Sequence, residues 1–174
     1  MTSTGKSATR DLQWRYPESG GSSFVLQDRG TEIGWLQFHE EPTPSTGEFE
    51  GKRWMFRYSH TLQPRITVYA EGSPEPVAEY LPSLTGGGVV TFASGVEYRW
   101  RRSKLWSDRW CFSLPHQRSS ICVSQEAGPL TKGGQVAVCC GAADLAETPV
   151  LLLLAWFLRV LEFEMLVGGI FRAG

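Results

Sequence analysis

The stretch from Thr148 to Val167, TPVLLLLAWFLRVLEFEMLV, is the longest hydrophobic segment of the sequence and the strongest indication of its architecture. Thr148 suits an N-cap, Pro149 suits the first helical turn, and Gly168-Gly169 suits a C-terminal stop. The pattern therefore predicts an α-helix over residues 149–167, about 28 Å long at 1.5 Å per residue.

A helix that is apolar on every side is buried either in a protein core or in a bilayer. The uncharged stretch from Thr148 to Leu158 has 11 residues, whereas a spanning helix needs about 18 or more. Arg159, Glu162 and Glu164 follow, and each charge at the centre of a bilayer costs at least ~2.5 kcal/mol. Arg159 and Glu162 are three positions apart, so they share a helix face and can pair. We therefore expect a core helix, and its core-forming side chains are Leu151, Leu152, Leu154, Trp156, Phe157, Leu158 and Leu161.

The rest of the chain is rich in turns and short strands. Nineteen Gly, ten Pro and 12% aromatic residues are typical of a turn-rich β protein. Residues 1–10 are predicted to form a flexible tail, residues 11–174 a single domain, and residues 39–52 a loop. About ten strands follow one another at intervals of roughly 8–12 residues, as in a sandwich or barrel. We expect a mainly β fold, a closed antiparallel β-barrel of about 10–12 strands that encloses the hydrophobic C-terminal helix.

Four stretches carry a resemblance to a known family. They are RWMFRY at 53–58, ITVYAEGSPEPVAEY at 66–80, SGVEYRW at 94–100 and TPVLLLLAWFLRVL at 148–161. With the strand rhythm they make the chain resemble the tubby C-terminal-like superfamily, which includes the LURP-one-related proteins and the phospholipid scramblases. The resemblance implies a barrel of about twelve strands around the C-terminal helix, with the two extra strands at Leu12 to Tyr16 and inside residues 39–52. It implies a scaffold rather than a reaction.

Charge and cysteine usage narrow the class of function. With 17 basic and 18 acidic residues the net charge is −1, which argues against nucleic acid as a partner. Cys111, Cys122, Cys139 and Cys140 form no CxxC pair and have no histidine at a zinc-ligand spacing, so neither a metal nor a cofactor is expected. We expect reduced, partly buried thiols, with Cys111 and Cys122 as cross-strand neighbours. The first twenty residues hold no apolar run, so a cytoplasmic location, with or without peripheral attachment to a membrane, is the default.

One segment is strongly basic. Between residues 99 and 109, five basic side chains stand against Asp108, a local balance of +4. On a strand, Arg99 and Arg101 face solvent while Trp100 faces the core, and the next strand brings Arg109 near them. Such a surface can hold an anionic ligand, or it is an outer barrel face that is merely solvated. The candidate binding residues are Arg99, Arg101, Arg102, Lys104 and Arg109. We expect Trp106, in the same turn, to cover one end of the barrel.

The sequence offers no recognisable catalytic motif. His39, His60 and His116 fall in or beside predicted loops without a nucleophile turn, and neither a phosphate loop nor a dinucleotide fingerprint occurs. Gly86 to Gly88 is read as a flexible start of a strand rather than an anion nest. We therefore expect a non-enzymatic binding or scaffold module that recognises anionic lipid headgroups or a protein partner. The alternatives are a membrane-associated protein whose terminal helix inserts into lipid, as in scramblases, and an enzyme with an unrecognised site.

Overall fold

A computed structural model describes residues 10–16, 22–84, 86–104, 108–114, 121–125 and 133–171. The described residues form twelve strands and two helices. The strands are β1 (Arg10–Arg15), β2 (Ser23–Asp28), β3 (Thr31–Gln37), β4 (Ser45–Phe49), β5 (Lys52–Ser59), β6 (Arg65–Ala70), β7 (Pro76–Pro82), β8 (Gly88–Phe92), β9 (Glu97–Arg102), β10 (Arg109–Ser113), β11 (Ile121–Gln125) and β12 (Gly133–Val138). The helices are α1 (Cys140–Ala143) and α2 (Thr148–Phe171).

Every strand is antiparallel to its neighbours in the chain, and β1 pairs with β2 on one side and with β12 on the other. The strand order therefore returns to its starting point, and the sheet is a barrel. Inward and outward residues alternate along the strands, as the pleat requires. The predicted mainly β fold, one large antiparallel sheet with a C-terminal helix, is confirmed.

Two predictions from the strand pattern are wrong, whereas the two extra strands implied by the resemblance, at Leu12 to Tyr16 and inside residues 39–52, are present as β1 and β4. The predicted loop at residues 39–52 contains β4, whose Ser45, Gly47 and Phe49 face inward. This strand has few β-forming side chains because α2 passes close to it: a Cβ on Gly47 would lie 3.2 Å from both methyl carbons of Leu153. Arg10, assigned to the tail, is the first residue of β1. Residues 1–9 lie outside the described part of the chain.

Helix α2 occupies the centre of the barrel. All nine residues from Val150 to Leu158 are buried. Six of the seven predicted core side chains are therefore buried, and Leu161 is partly buried at the edge of the core. Trp156 stacks on Trp14 of β1, with ring centroids 5.6 Å apart, and Phe157 stacks on Phe56 of β5 at 5.5 Å. These ring contacts fix how α2 is rotated inside the sheet.

The ends of α2 differ from the prediction. The helix has 24 residues and runs through Gly168 and Gly169 to Phe171, so the predicted stop is wrong. Glycine inside a helix costs only about 1 kcal/mol relative to alanine and does not forbid helix. Thr148 is the first helical residue, and its hydroxyl donates to the carbonyl of Ala142 instead of capping α2. Within the described residues, neither helix combines the length and apolar character needed to cross a bilayer.

Candidate binding surface at one end of the barrel

The two ends of the barrel are distinguished by helix α2. Because successive strands alternate in direction, the β5–β6, β7–β8 and β9–β10 connections lie at one end, and the β2–β3, β4–β5 and β6–β7 connections lie at the other. Leu158 and Met165 of α2 line a cavity with Gly86 and Gly87 of the β7–β8 connection. The second half of α2 therefore leaves the barrel at this end, which we call the exit end; the other is the opposite end.

The exit end carries exposed hydrophobic side chains. Among the described residues, four large hydrophobic side chains are exposed: Leu62 at 104%, Leu84 at 107%, Met165 at 47% and Leu81 at 45%. Leu62 and Leu84 lie in the β5–β6 and β7–β8 connections, Leu81 lies near the end of β7, and Met165 lies on the emerging helix. All four therefore belong to the exit end.

The opposite end has a different chemistry. Its turns at residues 28–31, 50–52 and 71–75 consist of charged, small, threonine and proline residues, and its turn at 93–96 adds one hydrophobic residue, the partly buried Val96. Ion pairs tie it together: the Arg10 guanidinium lies 2.9 Å from the Asp28 carboxylate and 3.3 Å from that of Glu50. The exit end differs in its exposed large hydrophobic side chains, although its β3–β4 connection also carries the exposed carboxylates of Glu40 and Glu41.

The predicted basic residues are spread over three positions. Arg99 and Arg101 are exposed on the outer face of β9, where their register partners are Ser113 and Cys111. Arg109 is diagonal to Arg101, because its carbonyl accepts a hydrogen bond from the Ser103 amide. Arg109 also lines an outer groove with Gln13 and Gln135. The five side chains are therefore not one compact cluster, although all come from the segment around the exit-end connection of β9 and β10.

Arg102 lies on the inner side of the barrel rim, unlike Arg101. Its guanidinium lies over the ring of Trp110, 5.1 Å from the centroid, and that of Arg159 lies 5.8 Å from the same centroid. Trp110 also stacks on Trp100 at 5.5 Å. Lys104, two residues beyond Arg102, is exposed. Arg101, Arg102 and Lys104 thus form a basic rim at the exit end, while Trp106 lies outside the described residues.

The predicted pair of Arg159 and Glu162 is present. Arg159 Nη1 donates to Glu162 Oε2 at 2.5 Å. Burial lowers the pKa of Arg159, while the carboxylates of Glu162 and Asp108 act in the opposite sense. Arginine nevertheless remains protonated in proteins, so an ion pair of permanent cation and carboxylate lies where α2 leaves the barrel.

A cavity of about 280 Å³ opens beside the emerging helix. Sequence reasoning missed it. Its walls are mostly apolar and aromatic, and its lining residues with polar groups include Glu162, Tyr58 and Tyr80. Burial, with a smaller effect of Glu162, raises the pKa of Tyr80, so this phenol is neutral at physiological pH. The main apolar wall residues are Ile66, Trp100, Trp110, Leu158, Leu161 and Met165.

The glycine run at 86–88 was the sequence signal for this cavity. A Cβ on Gly88 would lie 2.5 Å from the ring of Tyr80, and one on Gly87 would lie 2.2 Å from the carbonyl oxygen of Trp100. Glycine is therefore needed for β8 to begin against these two aromatic residues. The predicted start of a strand is present, since β8 begins at Gly88, and the structure adds a packing role for the glycines.

The cysteine prediction is wrong for Cys111, which is buried and disulfide-bonded. The backbone register places Cys122 directly opposite, so the predicted cross-strand relation is confirmed. Directly opposed residues of antiparallel strands have Cα atoms about 4.5–5.5 Å apart, which is within the range for a disulfide. Cys139 is exposed and retains a thiol.

The described histidines are at the surface. His60 Nδ1 lies 2.6 Å from Glu41 Oε2, and its ring lies edge-on to Tyr58; His39 is exposed, and His116 lies outside the described residues. No group of three metal-ligating side chains occurs in the part of the chain that is described. The chain matches no protein-family model, no curated protein and no solved structure.

Proposed function

We propose that this protein is a non-enzymatic binding module that docks on an anionic membrane surface through the exit end of its barrel. The observation that carries the proposal is the position of Leu62, Leu81, Leu84 and Met165 at one end, beside the basic rim. Isolated exposed apolar side chains are common on proteins, but their confinement to one end needs an explanation.

The chemistry of this end suits a lipid interface. Leucine side chains on two separate turns can enter the boundary between headgroups and acyl chains, while basic side chains remain at the headgroups. Leu62 and Leu84 would each gain roughly 1.5–3 kcal/mol on leaving water. Arg101, Arg102 and Lys104 would each gain about 1 kcal/mol near an anionic surface. The sum is about 6–9 kcal/mol before the cost of association and the repulsion of the exit-end carboxylates of Glu40, Glu41 and Asp108, and it corresponds to reversible docking.

A protein partner fits this end less well. A stable protein interface covers about 800 Å² of continuous surface on each partner. Leu62 and Leu84 instead lie on separate turns, and both are exposed to the full extent of a free side chain. We therefore favour a deformable lipid surface as the partner.

Helix α2 stays inside the barrel in this proposal. If α2 left the barrel for lipid, the many buried inward side chains of the strands, among them Trp14, Phe38 and Phe56, would face water at a cost of about 1.5–3 kcal/mol for each large side chain. The total exceeds the 5–15 kcal/mol that typically stabilises a domain. Insertion of α2 into lipid would therefore require the domain to unfold.

We also propose that the chain belongs to the tubby-like superfamily. Twelve antiparallel strands around a C-terminal helix are the architecture that the resemblance implies. The disulfide of Cys111 favours an oxidising compartment over the expected cytoplasmic one.

Cosedimentation with vesicles tests the proposal. The wild-type protein should bind vesicles of phosphatidylcholine mixed with phosphatidylserine, and added salt should weaken binding because it screens the basic rim. The double variant Leu62→Ser/Leu84→Ser should bind at least about tenfold more weakly, since each 1.4 kcal/mol is tenfold. The variant Arg101→Glu/Lys104→Glu should lose the preference for anionic vesicles.

The matched control is Arg29→Glu/Lys52→Glu, which makes the same charge change at the opposite end. It should bind as the wild type does, and every variant should keep the wild-type melting temperature. The proposal is wrong if the wild-type protein does not bind anionic vesicles. It is also wrong if Leu62→Ser/Leu84→Ser and Arg101→Glu/Lys104→Glu bind these vesicles as well as the control variant does.

A further inference from the structure

We infer that the exit-end cavity binds one aliphatic chain of an amphiphile with an anionic head, and that the bilayer is its source. The inference rests on the proposed function, because docking would bring the mouth of the cavity to the membrane. Met165 belongs to both features: it lines the cavity and is one of the exposed side chains of the exit end. The cavity is thus continuous with the docking surface.

The size of the cavity fits a single chain. A cavity of about 150 Å³ with apolar walls holds the six carbons of benzene. By the same scale, the 280 Å³ beside α2 accommodates about ten carbon atoms. This is enough for the outer part of one acyl chain but not for a second chain.

The lining fits an aliphatic occupant rather than a polar one. Ile66, Trp100 and Leu158 form buried walls, and Leu161 and Met165 continue the apolar surface along α2 towards the opening. The hydroxyl of Tyr80 is kept neutral by burial, and the carboxylate of Glu162 is already engaged by Arg159. Inside the cavity, therefore, little would stabilise a charged group.

The rim fits an anionic head. Arg102 lies next to the cavity wall through its contact with Trp110, and Lys104 is exposed two residues further on. A carboxylate or phosphate outside the mouth would meet these cations while its chain lies against Leu158 and Leu161. Carboxylate and phosphate are the anions that such side chains bind most strongly.

Tryptophan fluorescence gives a direct test, because Trp100 and Trp110 line the cavity. The probe is undecanoate with bromine at the end of the chain, added to the protein without vesicles. We expect saturable quenching, and unlabelled decanoate should reverse it. Replacement of Trp100 and Trp110 by phenylalanine should remove most of the quenching. Absence of saturable quenching, or quenching that decanoate does not reverse, would overturn the inference.

A variant that fills the cavity separates this site from general surface binding. Leu161→Phe/Met165→Phe places larger side chains in the cavity and should weaken probe binding at least tenfold. Glu164→Phe adds the same ring to an exposed position of the same helical turn and should bind as the wild type does. Equal probe binding by the filled variant and the control would also overturn the inference.

The source of the chain is tested by vesicles that contain phospholipid brominated in its acyl chains. Quenching by both the free probe and the brominated vesicles, with less quenching of the filled variant in each experiment, supports a chain taken from the bilayer. Quenching by the free probe alone overturns the bilayer as the source and leaves a site for a soluble amphiphile. If the free probe fails while anionic vesicles still bind the protein, the cavity inference falls and the docking function stands.

Discussion

Replacement of Phe157 by alanine tests the central position of α2. Phe157 is 1% exposed. Its ring lies nearly parallel to that of Phe56, with centroids 5.5 Å apart, and it is tilted against Phe38 at 5.4 Å. One substitution therefore removes contacts between α2 and two different parts of the sheet.

The expected loss is large but leaves a folded protein. Replacing a buried phenylalanine by alanine typically costs 3–5 kcal/mol, through lost burial and the cavity that remains. A domain of this size loses about 2–4 °C in melting temperature for each kcal/mol. Phe157→Ala should therefore lower the melting temperature by about 10 °C, and the typical stability of 5–15 kcal/mol is enough to tolerate this loss.

Thermal and urea unfolding followed by circular dichroism measure the effect. Glu164→Ala, at an exposed position of the same helix, is the control and should change the free energy of unfolding by less than about 0.5 kcal/mol. A double-mutant cycle with Phe56→Ala should give a coupling energy of about 0.5–1.5 kcal/mol. The reasoning fails if Phe157→Ala is as mild as the control, or if the two phenylalanines show no coupling.

Three further changes address local features. Gly88→Ala should lower the free energy of unfolding by about 1–3 kcal/mol, since its Cβ would lie 2.4 Å from the Leu81 carbonyl oxygen. The control Gly141→Ala, where a Cβ meets nothing within 4 Å, should leave the free energy of unfolding unchanged. Equal urea midpoints for the two variants would contradict this expectation. The raised pKa of Tyr80 means that its contribution to stability is complete below pH 10 and is lost as the pH rises further. Tyr80→Phe should therefore flatten the fall in melting temperature above pH 10, and an unchanged slope would exclude this residue as a cause. Dithiothreitol should lower the free energy of unfolding by about 2–4 kcal/mol by reducing the disulfide of Cys111, whereas identical melts with and without it would contradict a structural disulfide.

The sequence predicted the core helix because its signal is local. Nine consecutive buried positions from Val150 to Leu158 produce a pattern that no surface helix has. The inward positions of Tyr98 and Trp100 on β9 followed from strand alternation in the same way. In contrast, the local pattern did not indicate β4, which only the family resemblance implied, because Gly47 lies where Leu153 passes close to the strand, a contact between residues more than a hundred positions apart.

The candidate site was predicted only in part. The basic segment was visible as a run of charge, but the run did not show that Arg102 turns inward to Trp110 or that Arg109 turns to a different groove. Leu62 and Leu84 are isolated apolar residues in the sequence. Only the alternation of strand direction brings their turns to the same end as Met165. The cavity likewise depends on the packing of α2 against several strands, which no single segment encodes.

Hydrogen–deuterium exchange of the intact protein, with and without phosphatidylserine-containing vesicles, tests the docking proposal most directly. The proposal predicts slower exchange with vesicles in the turns at residues 60–64 and 83–87, which hold Leu62 and Leu84. It predicts unchanged exchange in the turns at residues 28–31 and 50–52, at the opposite end. Protection of the opposite end, or equal exchange everywhere while the protein is bound to vesicles, would contradict docking through the exit end.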